Sequence, residues 1–405
     1  MKILLIDVNC KNSSTGNIVF NLYKHINSLG DEASICYGRG ELIKDKNVYK
    51  FGIDVETYIH AFLTRVTGYT GCYSFFSTRR LIRYIEEFNP DLVHIHELHA
   101  YFVNIKPLLN YLKRKKIKTV MTLHCEFAYT GKCGHSLECD QWKTQCEKCP
   151  HLRDYISTKW FDHTNYMFNQ KKRLFYDFEE LIIVTPSIWL LSRAKESFLK
   201  NHVIQIINNG IDTNVFTPVE SQDLREKLEI TDDEKVVLAL APNIMSREKG
   251  GQFVEKIADL LSEENIRFLY VGTDDKEIVK RNNNIFIGKI KDNNLLAKFY
   301  SLADLFVICS ERENYPTTCL EAQACGTPVY GFNTGGIVET CLDSSNLVKY
   351  GDIISLADRI KEADKKNKES IVKLSTAARD HFDNYVFLEK YYRLYKDFLS
   401  IKIRT

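Results

Sequence analysis

The sequence predicts an α/β protein made of two parallel sheets, one in each half of the chain. Three observations carry this. Short apolar or β-branched runs alternate with stretches of helical period, the pattern of strands joined by crossover helices. The scheme starts afresh near residue 236, after a polar stretch at 213–234 that holds Pro218 and much of the charge-rich DLREKLEITDDEK. The length of 405 residues suits two or three domains at roughly 100–200 residues each, every one large enough to bury its own core.

In order, KILLIDV (2–8) reads as a buried strand, followed by a Ser-Ser-Thr-Gly turn and a helix over 17–29 that stops near Gly30. ASICYG, DLVHIH (91–96), KTVMTLH (118–124) and LIIVTPS (181–187) repeat the strand signal, while pocket segments such as 60–80 and 126–165 read as loops. VIQIINNGID (203–212) runs from a strand into a turn, and the domain boundary is expected near Asn208–Asp212. VVLALAPN (236–243) opens the second half, with a helix from about Gly250 and further strands at IRFLYVGT, NIFIG, DLFVICS and TPVYGF. Residues 367–400 read as two helices broken near His381–Asn384, the last with a Tyr/Phe/Leu face.

Composition narrows the function classes. With 44% hydrophobic and 27% charged residues, 19 Gly and 8 Pro, the chain is not disordered, collagenous or a coiled coil. Lys and Arg number 55 against 53 acids, so the net charge of +2 gives no global footprint for nucleic acid. Asp7 interrupts the apolar start, so no secretory leader is read there, and no stretch approaches the ~20 apolar residues of a membrane span. The expected compartment is the cytoplasm, where twelve Cys are thiols or metal ligands before they are disulfides. Membrane contact, if made, is peripheral at the inner face, through basic runs such as KRKKIK (113–118) and KKRLF (171–175).

The segment ICSERENYPTTCLEAQACGTPVYGFNTGGIVE (308–339) carries the chemistry. A strand runs out at Ser310, a polar loop leads to Pro316, a helix spans about Thr317–Cys325, and the next strand ends at Gly335-Gly336. Glu313 and Glu321 flank the helix start as E-x7-E. Ligands of open α/β sheets sit at the carboxyl ends of strands, and a helix N-terminus there offers free N–H groups to a diphosphate. A carboxylate along the helix can accept two ribose hydroxyls, and one in the loop can hold a sugar.

This segment closely resembles the E-x7-E region of retaining group 1, family 4 glycosyltransferases, and the resemblance extends over nearly the whole chain. It implies the α/β GT-B fold, two Rossmann-like domains facing a cleft: 1–208 on the acceptor side, with a Cys-rich insertion at 125–150, 209–383 binding the nucleotide-sugar, and 384–405 returning as a helix to the first domain. It implies that Glu321 binds the donor ribose, that Glu313 binds the donor sugar, and that the backbone of Asn314, Tyr315, Pro316 and Thr317 approaches sugar and diphosphate. Lys249, in APNIMSREKGG, corresponds to the Lys that grips the diphosphate. The Arg that precedes it by five or six positions in the family is absent, since Asn243 and Ile244 stand there, and Arg247 is the substitute at a different spacing. Ile290 falls beside the nucleobase, and Thr15 and Gly16 in NSSTGN (12–17) line the cleft.

Three features are read in the first half. His124, at the end of KTVMTLH, is expected beside the transferred sugar as a hydrogen-bond donor, and a general-base role is an alternative. His96 and His99, in VHIHELHAYFVN, resemble a polysaccharide-biosynthesis subgroup and are expected on the acceptor side. Cys133, Cys139, Cys146 and Cys149 follow as C-x5-C-x6-C-x2-C. That spacing suits a structural zinc, with disulfides or free thiols as alternatives.

The expected reaction moves a sugar from a nucleotide-diphosphate donor to a saccharide or lipid-linked acceptor with retention, in surface polysaccharide or glycoconjugate assembly, and needs no cofactor for catalysis. The rival readings are a nucleotide-sugar epimerase of the same fold, a zinc-stabilised nucleic-acid-binding module, and an inactive fold kept for assembly.

Overall fold

The computed structural model describes residues 1–11 and 13–401. The chain forms two compact units, residues 1–208 with 388–405, and residues 209–387.

Unit 1 begins with β1 (Lys2–Asp7), α1 (Ser14–Ser28), β2 (Glu32–Tyr37), β3 (Val48–Lys50), α2 (Asp54–Thr67) and α3 (Phe75–Phe88). It continues with β4 (Leu92–Ile95), α4 (Ile105–Arg114), β5 (Lys118–Thr122), α5 (Thr164–Phe175), β6 (Leu181–Thr185), α6 (Ile188–Glu196) and β7 (Val203–Ile206). The strands form one sheet in the order β3-β2-β1-β4-β5-β6-β7, every pair parallel. β1 is buried along nearly its whole length, as the uninterrupted apolar run ILLI requires of a strand covered on both faces. The strand order reverses between β1 and β4, so the loops after β1 and β4 open at a topological switch point.

Unit 2 starts with α7 (Gln222–Leu228), β8 (Lys235–Leu240), α8 (Gly251–Leu260), β9 (Ile266–Thr273), β10 (Val279–Arg281), β11 (Asn284–Gly288) and α9 (Asn293–Leu302). β12 (Leu305–Ile308), α10 (Thr317–Ala324), β13 (Val329–Phe332), β14 (Leu347–Val348), α11 (Ile353–Glu362) and α12 (Lys368–Phe382) follow. Its sheet runs β10-β11-β9-β8-β12-β13-β14, parallel except for the edge hairpin β10–β11. Here the switch point lies between β8 and β12.

The last helix, α13 (Asn384–Ser400), starts in unit 2 and belongs to unit 1 from Leu388 onward. Within unit 1 its Tyr395 hydroxyl meets His94 Nδ1 at 2.6 Å, and Tyr391 meets Thr122 at 2.7 Å. The Lys118 ammonium donates to the carbonyls of Phe398, Leu399 and Ile401, satisfying acceptors that a helix C-terminus leaves open.

Two expectations are corrected. α1 begins at Ser14 rather than Asn17, because the Ser13 side chain caps it by accepting the Gly16 N–H at 2.9 Å. Residues 60–80 are not a loop: 60–67 complete α2 and 75–80 open α3. The helix was obscured because its faces are inverted. Thr57, His60, Ala61 and Thr64 are buried, whereas Val55, Tyr58, Ile59 and Phe62 are exposed. The buried polar groups are served locally, His60 by the Ser74 hydroxyl at 2.7 Å and Thr64 by the Tyr69 carbonyl at 2.9 Å.

Candidate active site

In unit 2 three loops leave the carboxyl ends of β8, β12 and β13 and are stapled together through their backbones. Gly250 has φ +74 and a Cβ there would lie 2.1 Å from the Cys309 carbonyl oxygen, so only glycine lets the β8 loop press against the end of β12. The Glu311 N–H donates to the Glu248 carbonyl at 2.9 Å. Gly335 packs as closely on the Glu313 carbonyl, which also accepts the Gly336 N–H at 2.9 Å.

This framework sets two charges face to face. Lys249 Nζ lies 2.6 Å from Glu313 Oε1, both partly screened from solvent. Arg247 points elsewhere: its guanidinium is 82% exposed and meets Glu311 at 3.5 Å. Asn314 and Tyr315 are buried behind the loop, and Pro316 stands as the N-cap of α10 without a side-chain cap; the Cys319 N–H turns back to the Pro316 carbonyl at 3.2 Å, which leaves the N–H groups of Thr317 and Thr318 at the helix start. Glu321 lies one turn and a half further along α10, where Tyr300 donates to its Oε2 at 2.9 Å. Burial pushes the Glu321 carboxyl up to about 7, against the Tyr300 and Thr317 hydrogen bonds that pull it down. Ile290 is half-buried against the unit 2 core after β11.

In unit 1, β4 and the loops after β4 and β5 bring together a histidine cluster. His96 is buried, its ring beside those of His94 and His124, and its Nδ1 lies 3.1 Å from His124 Nε2. Burial holds all three below the usual imidazole range, His124 at about 4, so each is neutral at pH 7. His99 is the opposite case. It pairs with Glu97 at 2.9 Å, and although burial opposes its charge, Glu97 and Cys125 raise it well above the usual value. His96, His99 and His124 line a cavity of about 20 Å³, room for little more than a water. Asp7, at the end of β1, is fully buried, and burial together with the charge of Glu97 drives its carboxyl well above the normal range. Gly16 is packed against Ser13 Oγ and the backbone of Lys11 and Asn9, and Thr15 shares the turn. Asn12 of the 12–17 segment lies outside the described residues.

The comparisons agree in both units. The description "Glycosyltransferase Family 4" matches residues 15–215, and "Glycosyl transferases group 1" matches residues 220–381. The chain is a family 4 glycosyltransferase. The glycosyltransferase is 25% identical over 318 residues to the putative colanic acid biosynthesis glycosyl transferase WcaC of Escherichia coli K12, covering 76% of each chain. It is 28% identical over 189 residues to the N-acetyl-alpha-D-glucosaminyl L-malate synthase of Bacillus anthracis, 44% of this chain and about half (49%) of that relative's length. Among solved structures, Anabaena HepE in complex with UDP-glucose matches 98% of the chain and 100% of its own, with a TM-score of 0.65 at 15% identity, a likeness of fold: GT-B.

In this glycosyltransferase the four insertion cysteines, Cys133, Cys139, Cys146 and Cys149, are free thiols. Cys133 and Cys149 share a thiol hydrogen bond, and Cys146 accepts the Gly131 N–H at 3.2 Å. Among the described residues, no three His, Cys, Asp or Glu side chains converge as metal ligands. Trp142 and Tyr129, packed at 5.2 Å, tie the insertion into the core of unit 1, and Arg193 pairs with the buried Glu126 at 2.6 Å. No described helix is long and apolar enough to cross a membrane. Sequence reasoning missed Asp7, Glu97 and Tyr300. Asp7 carried a signal, an acid closing a buried strand, while Tyr300 looks like any core aromatic of a helix.

Proposed function

We propose that this glycosyltransferase takes a sugar from a nucleoside-diphosphate donor held by unit 2 and passes it, with retention, to a hydroxyl of a saccharide, free or lipid-linked, in polysaccharide or glycoconjugate assembly. The observation that carries the reading is the Lys249–Glu313 pair at 2.6 Å, set at a sheet switch point with Glu321 on the adjoining helix. Lys249 and the first-turn N–H groups of α10 stabilise the charge that develops on the departing diphosphate, so no divalent ion is required for that role. Glu313 accepts donor-sugar hydroxyls, Glu321 accepts those of the ribose, and Ile290 borders the base. No side chain is assigned as a nucleophile, which favours a front-face route in which the leaving diphosphate takes the acceptor proton. His124, neutral at pH 7, serves as a hydrogen-bond donor near the sugar, with His96 and His99 toward the acceptor.

Uridine nucleotides are the first donors to try, because a solved relative in fold binds UDP-glucose. The peripheral reading places the enzyme at an anionic membrane face when the acceptor is lipid-linked. The test is thermal stabilisation by UDP-, GDP-, ADP- and dTDP-sugars, with Glu321→Ala alongside. One nucleotide class should raise the melting temperature of the wild type and lose that effect in the variant. A wild type indifferent to every donor would remove the reading, and turnover of the donor sugar without any acceptor would make the protein an epimerase.

A further inference from the structure

α2 packs the wrong way round for a helix on a water-soluble surface. Thr57, His60 and Thr64 face the core, and Val55, Tyr58, Ile59 and Phe62 stand outward, Tyr58 at 72% and Phe62 at 63% exposure. Amphipathic surface helices do the reverse, and contiguous exposed apolar area marks an interaction site. The area does not end with α2. The Glu56 carboxylate accepts the N–H groups of Phe76 and Ser77 at 2.8 Å each, which ties α2 to the start of α3, where Phe75 and Phe76 are both exposed. At the other end Lys159 N–H donates to the Arg65 carbonyl at 2.8 Å and Gly68 packs on the Phe161 carbonyl, so the exposed Trp160 and Phe161 border the C-terminus of α2.

The acids around this area are all engaged. Asp54 pairs with Lys50 at 2.9 Å, while Glu56 and Asp162 keep their charge and hold it on neutral donors, Glu56 on the start of α3 and Asp162 on Thr164 and the Cys149 N–H. Arg65 and Lys159 are exposed with no carboxylate partner among the described residues, and Lys106 stands likewise on the rim of the groove that Phe75 and Tyr166 line. Aromatic and aliphatic tips set among unpaired cations are what a helix lying in the interface of an anionic bilayer presents. A second copy would have only Asp54, Glu56 and Asp162, each already engaged, to set against Arg65 and Lys159.

We propose that the outward face of α2, extended by Phe75, Phe76, Trp160 and Phe161, is the surface by which unit 1 lies on an anionic lipid bilayer. This rests on the peripheral-membrane reading above and changes its location. The basic run KRKKIK begins at the far end of α4 from Lys106, about 10 Å away along the helix, and its Lys113 is engaged with the Tyr176 carbonyl.

The test is co-sedimentation of the full chain with phosphatidylcholine vesicles, with and without phosphatidylglycerol, and light scattering of each protein without lipid. Three variants are compared: Tyr58→Ser with Phe62→Ser, Arg65→Ala with Lys159→Ala, and Lys113→Ala with Lys115→Ala and Lys116→Ala. The wild type should bind only vesicles holding phosphatidylglycerol. The first variant should bind about tenfold or more weakly and the second severalfold more weakly, with the third little changed. All changed side chains of the first two variants are exposed, so unchanged melting temperatures are expected. Wild-type binding that survives the Tyr58/Phe62 change, or that is lost only with the KRKKIK change, overturns the assignment of this surface. Absence of wild-type binding overturns the peripheral reading itself. A Tyr58/Phe62 variant that alters the oligomeric mass while still binding vesicles makes the face a contact between copies instead, and overturns the proposal.

Discussion

At the scale of single residues, Glu321 concentrates the consequences. Its carboxyl is raised to about 7 by burial, whereas the role of ribose acceptor proposed for it uses the ionised form. Nucleotide affinity should therefore rise as pH increases through about 7, with proton release on binding below that pH, as calorimetry in buffers of different ionisation enthalpy would read. The linkage to folding has the opposite sense. A carboxyl raised in the folded state contributes stability that is full below about pH 4 and is lost as pH rises through about 7. Glu321→Gln should accordingly be more stable than the wild type at pH 8, by about 1–3 kcal/mol, with that advantage gone near pH 5, even though it binds donor poorly. The two acids and Lys249 were legible in the sequence because strand, loop, proline and helix surround them in fixed order. The partner that tunes Glu321 was not legible, since Tyr300 comes from a different helix and only folding brings its hydroxyl within 2.9 Å.

At the scale of elements, the charged pair depends on close backbone contact between loops. Gly250→Ala would place a Cβ 2.1 Å from the Cys309 carbonyl at a φ of +74, so the β8 loop must back away and take Lys249 with it. Donor-induced stabilisation should fall by an order of magnitude or more in affinity, about 1.4 kcal/mol or above, with a smaller loss of stability in the free protein. A nucleotide titration of the variant checks this, and an unchanged affinity would show that the pair tolerates loop movement. Element order was readable where apolar runs mark buried parallel strands: β1 and β12 fall inside the segments so marked, and β8 begins one residue ahead of its segment. α2 was not readable for a physical reason: its apolar residues have the right period but answer to something other than the core of unit 1.

At the scale of the whole molecule, two sheets of seven strands were foreshadowed by the repeated alternation of the two halves. What pattern could not give is how α13 completes unit 1. Its Tyr395 hydroxyl satisfies a buried His94, and replacement by Phe leaves that imidazole nitrogen without its partner in an otherwise unchanged core. Tyr395→Phe should cost about 1–3 kcal/mol, the penalty for a buried polar group left unsatisfied. Denaturant unfolding followed through a probe in unit 1 reads that loss, and nucleotide binding by unit 2 should be unaffected.

The same helix has a bearing on biosynthesis. Domains generally fold as units while the ribosome is still at work, the N-terminal one first. Here His94 and Thr122 wait for side chains made roughly 270–300 residues later, at positions 391 and 395. The first-made unit must therefore wait with that patch of its core uncovered until α13 has been made, and that helix acts as its closing piece.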